Sequence, residues 1–460
     1  MTKGSVAVRG KSAQKTQTMK SVNELKNIRG KRVLVRVDFN VPVVHGEIED
    51  DTRIRTTVLT IEWLAQKGAK VILMSHFGRP ILSRHPERSE GSRSRRELRD
   101  SSASGLRMTI FRLGELLKKK VQMADKWDWV EIGQMIKAMK GGQVLMLPNL
   151  RLQTGEEKNS KPFAQGLAGL ADFYVNEAFS VCHRKHASVV GVPKFLPSYA
   201  GFTLIKEVDT LGSILKAPKK PFIVLMGGAK ITDKIAMMQI MTRKAEAVLV
   251  GGILALHFFK AMGYGVGGSR IEAEGVRLAK KLVGNRKIVL PLDVVVGKED
   301  GEGARVVEMQ HVGPGLVLPP GRDVASTARQ QSSVRGRQGP ALQICSKPYA
   351  ILDIGPKTIL EFAHYIKSAA TLLWNGPMGF YEVKRFSHGT SALGRLFAAR
   401  SRGKAFGVAG GGETIDALKQ TGMMQDVDFV STGGGAILQF MSGKPLPGIT
   451  ALTYAKGFGN

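Results

Sequence analysis

The 460-residue sequence predicts a parallel α/β protein of two domains. Three observations point there. Short aliphatic and β-branched runs alternate with helical periods from about residue 20 onward, the pattern of repeated strand–helix–strand units. The runs of the first half end in polar and basic residues, whereas those of the second half run into glycine loops. Between the halves, Ala217-Pro218-Lys219-Lys220-Pro221 breaks the preceding helix.

The first strand opens Arg36-Val37-Asp38-Phe39-Asn40-Val41-Pro42, followed by Asp51-Thr52-Arg53-Ile54. Successive strand side chains point to opposite faces, so Arg36, Asp38 and Asn40 share one face. A cation, an anion and an amide buried together must each be paired or meet a ligand, so this strand end is either a polar lock or a site. Pro42 ends the strand. The strands expected over Val33 to Phe39, Lys70 to Ser75, Gln143 to Pro148 and Asp172 to Asn176 all lead into such residues: Asp38 and Asn40, His76 and Arg79, Asn149 and Arg151, and, past Asn176, His183 and Arg184. Ligands of open α/β sheets lie beyond the carboxyl ends of strands, so four basic strand ends point to an anionic ligand.

Gly201 to Lys216 carries Leu204, Ile205, Val208, Leu211 and Leu215 at helical spacing, and the domain boundary is placed near it. Beyond it, Phe222 to Met226 leads into Gly227-Gly228-Ala229-Lys230 and Ala247 to Val250 into Gly251-Gly252. Ala405 to Ala409 leads into Gly410-Gly411-Gly412-Glu413-Thr414, and Asp428 to Ser431 into Thr432-Gly433-Gly434-Gly435. Glycine lets a ligand approach the backbone, and the N–H groups of a following helix can bind phosphate. Four such loops in one domain argue for a nucleotide. None has the spacing of a dinucleotide fingerprint or a Walker loop. Lys230 and Lys234, four apart after the first loop, can face one ligand.

Two stretches fit neither strand nor helix: the Ser/Arg-rich 81–107 and the Pro/Gly/Gln/Arg-rich 311–347, both expected to be insertions without chemistry. Residues 1–18 are polar and basic and lack the apolar core of a signal peptide, so Met19 is expected as the natural start and 1–18 as a disordered extension. The longest apolar run, Ala247 to Phe259, is interrupted by Gly251, Gly252 and His257 and is too short to span a membrane. Two cysteines, Cys182 and Cys345, suit a reducing compartment, and the cytoplasm is the expected location.

The net charge of +30 raises a nucleic-acid reading. It is spread over tails and insertions: residues 1–20 hold Lys3, Arg9, Lys11, Lys15 and Lys20 and no acid. Aromatics are only 7%, leaving few platforms for stacking single strands, which argues against nucleic acid and for small anionic substrates.

With these pieces in place, the chain resembles phosphoglycerate kinase. The motifs are Arg36 to Pro42, Asp51 to Ile54, Ser75-His76-Phe77-Gly78-Arg79-Pro80, Asn149-Leu150-Arg151 and His183-Arg184-Lys185-His186. They continue with Gly227 to Lys234, Trp374-Asn375-Gly376-Pro377-Met378-Gly379, Gly410 to Thr414 and Ser431 to Ala436, in the family's order. The resemblance implies two Rossmann-like parallel-sheet α/β domains facing across a cleft and joined by a hinge helix. Its boundaries are 19–200 for the 3-phosphoglycerate domain, 201–216 for the hinge, 217–442 for the nucleotide domain and 443–460 for a tail returning to the first domain.

The resemblance further implies a monomeric glycolytic enzyme that passes a phosphoryl group between 1,3-bisphosphoglycerate and ADP, giving 3-phosphoglycerate and ATP with Mg2+. It assigns the 3-phosphoglycerate side to Asp38, Asn40, Arg53, His76, Arg79, Arg151 and Arg184. Lys234 and the glycine loops, including Gly411, Gly412 and Thr414, would hold the nucleotide, with Gly355 at the adenosine pocket and Glu382 at the ribose. Arg53 and Lys230 would stabilise the transferring group, converging when the domains close. Glu413 stands where the family has a magnesium-binding Asp. Two further departures are Pro148, where the family commonly has Glu, and Gly251-Gly252-Ile253, which shortens a glycine triplet. Cys182, beside His183, is read as a packing residue, since this chemistry needs no thiol. The rival readings are a catalytically impaired kinase-fold protein and a basic nucleic-acid-associated protein.

Overall fold

The computed structural model describes residues 19–78, 95–228, 231–309 and 343–453. The expected extension at 1–18, Arg79 and Lys230 lie outside the described residues. The fold is α/β, with two six-stranded parallel sheets. The chain divides into two compact units. One takes the residues up to Glu177, Lys185–Phe202 and the chain from Pro447 on; the other takes Ala178–Arg184 and Thr203–Leu446.

In the first unit the strand order is Val121–Met123, Val144–Met146, Lys70–Met74, Arg32–Arg36, Phe173–Asn176 and Ser198–Ala200. The chain fills one side of Arg32–Arg36 first, with Val144–Met146 inserted between Lys70–Met74 and the edge strand, and later the other side, so the order reverses at Arg36 and Asn176, which pair in register. That reversal is where an open α/β sheet leaves a crevice at its carboxyl edge. Four residues of the unit in alternation, Val33, Val35, Val37 and Phe39, enter the core. The Thr52–Gln66 helix meets them with Ile54, Ile61 and Leu64, the stripe expected of an amphipathic helix.

The 81–107 expectation is corrected. A helix runs over Arg95–Leu117 and packs on the Thr52–Gln66 helix. Leu106, Ile110, Leu113 and Leu117 are buried at spacings of four, three and four, so the stripe outweighs the Ser/Arg-rich composition around it. The 311–347 expectation is corrected at its end, because Gln343–Cys345 is a strand paired with Gly265–Val266. Residues 81–94 and 311–342 lie outside the described residues.

In the second unit the order is Ile288–Val289, Ala247–Val250, Phe222–Met226, Thr371–Asn375, Phe406–Gly410 and Phe429–Ser431. Numbered along the chain this is 3-2-1-4-5-6, the doubly wound order of nucleotide-binding folds. Leu225, Leu249, Leu372, Trp374 and Phe397 fill the core under it. A three-stranded antiparallel sheet, Arg305–Glu308, Asp293–Gly297 and Ala350–Ile354, is added beside the parallel one. No helix among the described residues is long and apolar enough to cross a membrane.

The helix Phe202–Lys216 buries Leu204, Glu207, Leu211 and Ile214. Glu207 is 2% exposed, and its Oε1 accepts from Thr432 N at 3.0 Å. Burial, the largest influence, pushes its carboxyl from 4.5 up to about 7 against the hydrogen bonds of Ser431 and Thr432. A raised carboxyl pKa means that the folded chain holds a proton that the unfolded chain releases. Stability is therefore fully present below the unfolded value and falls as pH rises through the window from 4.5 to about 7. Glu207→Gln is expected to flatten that fall by roughly 1–3 kcal/mol, measured by urea denaturation at pH 5 and pH 8. An unchanged slope would show that Glu207 ionises normally. Asp353 contributes a fall of the same sign, and its share would persist in the variant.

Candidate active site

In the first unit the strand ends gather one polar cluster. Arg53, on the first turn of its helix, donates from Nη1 to Asp38 Oδ2 at 2.8 Å and to the Asn40 carbonyl at 3.0 Å. Asp50 Oδ1 accepts from Thr52 N at 2.9 Å and so fixes the start of that helix. Asn40 Oδ1 accepts from Gly78 N at 2.8 Å, and Arg151 Nη1 donates to the Gly78 carbonyl. Asn149 orients the same loop: its Oδ1 accepts from Phe77 N and Arg151 N, and its Nδ2 donates to the Phe77 carbonyl. His76 Nδ1 lies 3.1 Å from Arg36 Nη2 and 3.8 Å from Asp38 Oδ1. A guanidinium can only donate, so Nδ1 accepts and the neutral ring carries its proton on Nε2.

The structure thus brings together Asp38, Asn40, Arg53, His76 and Arg151. Arg184 falls in the second unit, with its Nε 3.4 Å from His183 Nε2. His183 in turn faces the α-carbon of Gly435.

In the second unit the strand order reverses at Phe222–Met226 and Thr371–Asn375, and the glycine loops meet there. Gly227 N donates to the Asn375 carbonyl and Gly228 N to the Pro377 carbonyl. A Cβ on Gly227 would fall 1.9 Å from the Pro377 oxygen, and one on Gly376, at φ +95°, 2.3 Å from the Gly227 oxygen. No side chain fits at either position. Lys234 is 5% exposed and donates to the Gly227 carbonyl. A Cβ at Gly228 would lie 2.7 Å from Lys234 Nζ and 2.9 Å from Glu413 Oε2, so an ammonium and a carboxylate flank one bare stretch of backbone.

Beside this stretch is a cavity of about 180 Å3 with apolar walls from Ile253, Leu256, Phe259 and Met378, reached by Glu382 and Glu413. Apolar walls with a few polar groups are the usual make-up of a small-ligand pocket. Gly411 (φ +101°) precedes the Gly412–Gln420 helix, whose first turn holds Glu413 and Thr414. Thr414 Oγ1 accepts from Gly376 N at 2.6 Å and donates to the Gly410 carbonyl at 3.0 Å, so its hydroxyl ties loops together. Gly355 turns its α-carbon to the Asp293 carboxylate, where a Cβ would fall 2.3 Å from Cγ; it is the N-cap of the Pro356–Ser368 helix and not a wall of the cavity.

Two residues missed in the sequence also border this region. Asp353 lines the cavity while accepting from Ile354 N and Gly389 N, each at 2.9 Å, and burial pushes its carboxyl up to about 7. Tyr381, buried beside Glu382, donates to Asp416 Oδ2 at 2.8 Å. Burial first, then that hydrogen bond, push the phenol well above its ordinary value. The Asp-Ile-Gly-Pro run at a strand end was the available signal for Asp353. Nothing local pointed to Tyr381.

Among the described residues no three His, Cys, Asp or Glu side chains form a metal-holding group. Glu413, whose carboxylate lies beside the bare backbone of Gly228, fits Mg2+, which keeps water and takes one or two carboxylates together with substrate phosphates.

The sequence profile described as phosphoglycerate kinase matches residues 22–444. The phosphoglycerate kinase of Moorella thermoacetica is 39% identical over 433 residues, which are 93% of this chain and 97% of that protein. That of Rubrobacter xylanophilus is 39% identical over 94% of this chain and 98% of its own. Among solved structures, phosphoglycerate kinase from Coxiella burnetii is similar with a TM-score of 0.70 at 31% identity, covering 95% of this chain and 99% of that one. The Pyrococcus horikoshii enzyme gives 0.73 at 28% identity with the same coverage. The chain belongs to the phosphoglycerate kinase family.

Proposed function

We propose that the first unit binds 3-phosphoglycerate and the second ADP or ATP with Mg2+, and that the chain works as a cytoplasmic monomer. Family membership makes it a glycolytic phosphotransferase acting on small molecules, with a carboxyl group as phosphoryl acceptor. The observation that carries the assignment of units is the second sheet's reversal point, where bare backbone at Gly227, Gly228 and Gly376 meets Lys234 and an apolar cavity. That arrangement suits a phosphate chain on the backbone and a base in the cavity.

The terminal oxygen of ADP is already anionic, so the transfer needs no general base. Alignment and charge stabilisation carry the catalysis. In this reading the residues assigned to 3-phosphoglycerate are Asp38, Asn40, Arg53, His76, Arg79, Arg151 and Arg184. Arg53 and Lys230 stabilise the transferring group. Lys234, Gly411, Gly412 and Thr414 shape the phosphate loops, Gly355 supports the adenosine side and Glu382 meets the ribose. Glu413 holds Mg2+, which when bound neutralises phosphate charge on the nucleotide.

A coupled assay of ATP-dependent 3-phosphoglycerate phosphorylation, with Mg2+ and with excess chelator, tests this. Turnover with the metal and its loss with chelator are expected. No turnover with both substrates and Mg2+ would overturn the proposed function. A companion deletion should be limited to 81–94, since Leu106 belongs to the core.

A further inference from the structure

The first turn of the Gly412–Gln420 helix carries Glu413. Gly411 and Gly412 precede it, and a Cβ at Gly412 would meet nothing within 4 Å. The inner side is fixed by Thr414 to Gly376 and Gly410. On the other side the tie comes from Asp416, which lies three residues beyond Glu413 and so neighbours it on the helix surface. Asp416 accepts the Tyr381 hydroxyl at 2.8 Å.

Tyr381 itself is anchored. It is 6% exposed and sits on the loop after Thr371–Asn375, where Phe380 N donates to the Leu352 carbonyl at 2.7 Å and Met378 N to Thr390 Oγ1 at 3.0 Å. A fixed phenol therefore grips a carboxylate one turn from Glu413. We propose that Tyr381 and Asp416 are positioning residues for Glu413, setting where its carboxylate presents itself to a nucleotide-bound divalent cation. The side chain at 413 has one more methylene than Asp and one more torsion to restrain, which makes the orientation of its helix consequential. The phenol is suited to this work because burial, then its hydrogen bond to Asp416, raise its pKa and favour the protonated, donating form.

The inference rests on the assignment of Mg2+ to Glu413, and calorimetry separates the two. ADP binding is measured with Mg2+ and with chelator for the intact chain, Tyr381→Phe, Asp416→Ala, their double variant and Glu413→Gln. Each single variant is expected to reduce the Mg2+-dependent gain in ADP affinity roughly three- to tenfold while metal-free ADP affinity stays within about twofold. The double variant should be no worse than either single one, because both remove the same hydrogen bond. An unchanged gain in Tyr381→Phe, or equal weakening with and without metal, overturns the positioning role. If Glu413→Gln also leaves the gain unchanged, the metal assignment itself has failed; if Glu413→Gln abolishes the gain and Tyr381→Phe leaves it unchanged, only the positioning role has.

Discussion

Arg53→Ala is expected to lower kcat by about three to five orders of magnitude, in the range of arginine fingers in phosphoryl transfer. The geometry supplies the reason. Arg53 spends Nη1 on Asp38 Oδ2 and the Asn40 carbonyl, which fixes the plane of the guanidinium. Among the described residues Nε and Nη2 make no hydrogen bond, and the side chain is 28% exposed, so a rigid half-fork is left to donate. A phosphoryl group in transfer spreads charge over its equatorial oxygens, and preoriented donors stabilise it without reorganisation. Arg53→Lys would keep the charge and lose the fork, so it should recover only part of the rate. Initial rates at saturating substrates, with a denaturation curve to show that the variant is folded, make the measurement. A loss under tenfold would remove Arg53 from the chemical step.

The parts of the fold that were legible in the sequence are those written in long periods. Strands such as Phe222–Met226, buried at every position, stood out against the helical stripes around them. The Val121–Met123 and Ser198–Ala200 strands were invisible because three residues carry no period; they form by pairing at the sheet edges. The Arg95–Leu117 helix was hidden by its composition, although its buried stripe is in the sequence. At the candidate site, residues on one local motif were legible together, as with Asp38, Asn40 and Arg53. Contacts made across the fold were not: Tyr381 meets Asp416 over 35 positions and Arg36 meets Ser188 over 152.

Arg36 decides whether the first strand's polar face is a lock or a site, and the structure gives it the partners of a lock. Its side chain is 1% exposed. Nε donates to Ser188 Oγ at 3.0 Å, Nη1 to the Val37 carbonyl and Nη2 to His76 Nδ1. Ser188 passes the connection on: its Oγ donates to Glu156 Oε1 at 2.6 Å and its N to Oε2 at 2.9 Å. Glu156 is also 1% exposed, with His186 Nδ1 3.7 Å from Oε1. A buried cation and a buried anion thus face each other through one hydroxyl. Arg36→Met keeps most of the volume but leaves the Glu156 charge with less compensation, which is expected to cost about 3–5 kcal/mol of stability by chemical denaturation. Removing the second charge should return part of that loss, so Arg36→Met with Glu156→Gln is expected to be more stable than Arg36→Met alone. Under conditions where the single variant remains folded, kcat should fall far less than in Arg53→Ala, with the larger change in KM for 3-phosphoglycerate because His76 loses its donor. Abolished turnover at unchanged stability and unchanged substrate affinity would reverse the assignment and make Arg36, not Arg53, the cation that acts on the transferring group.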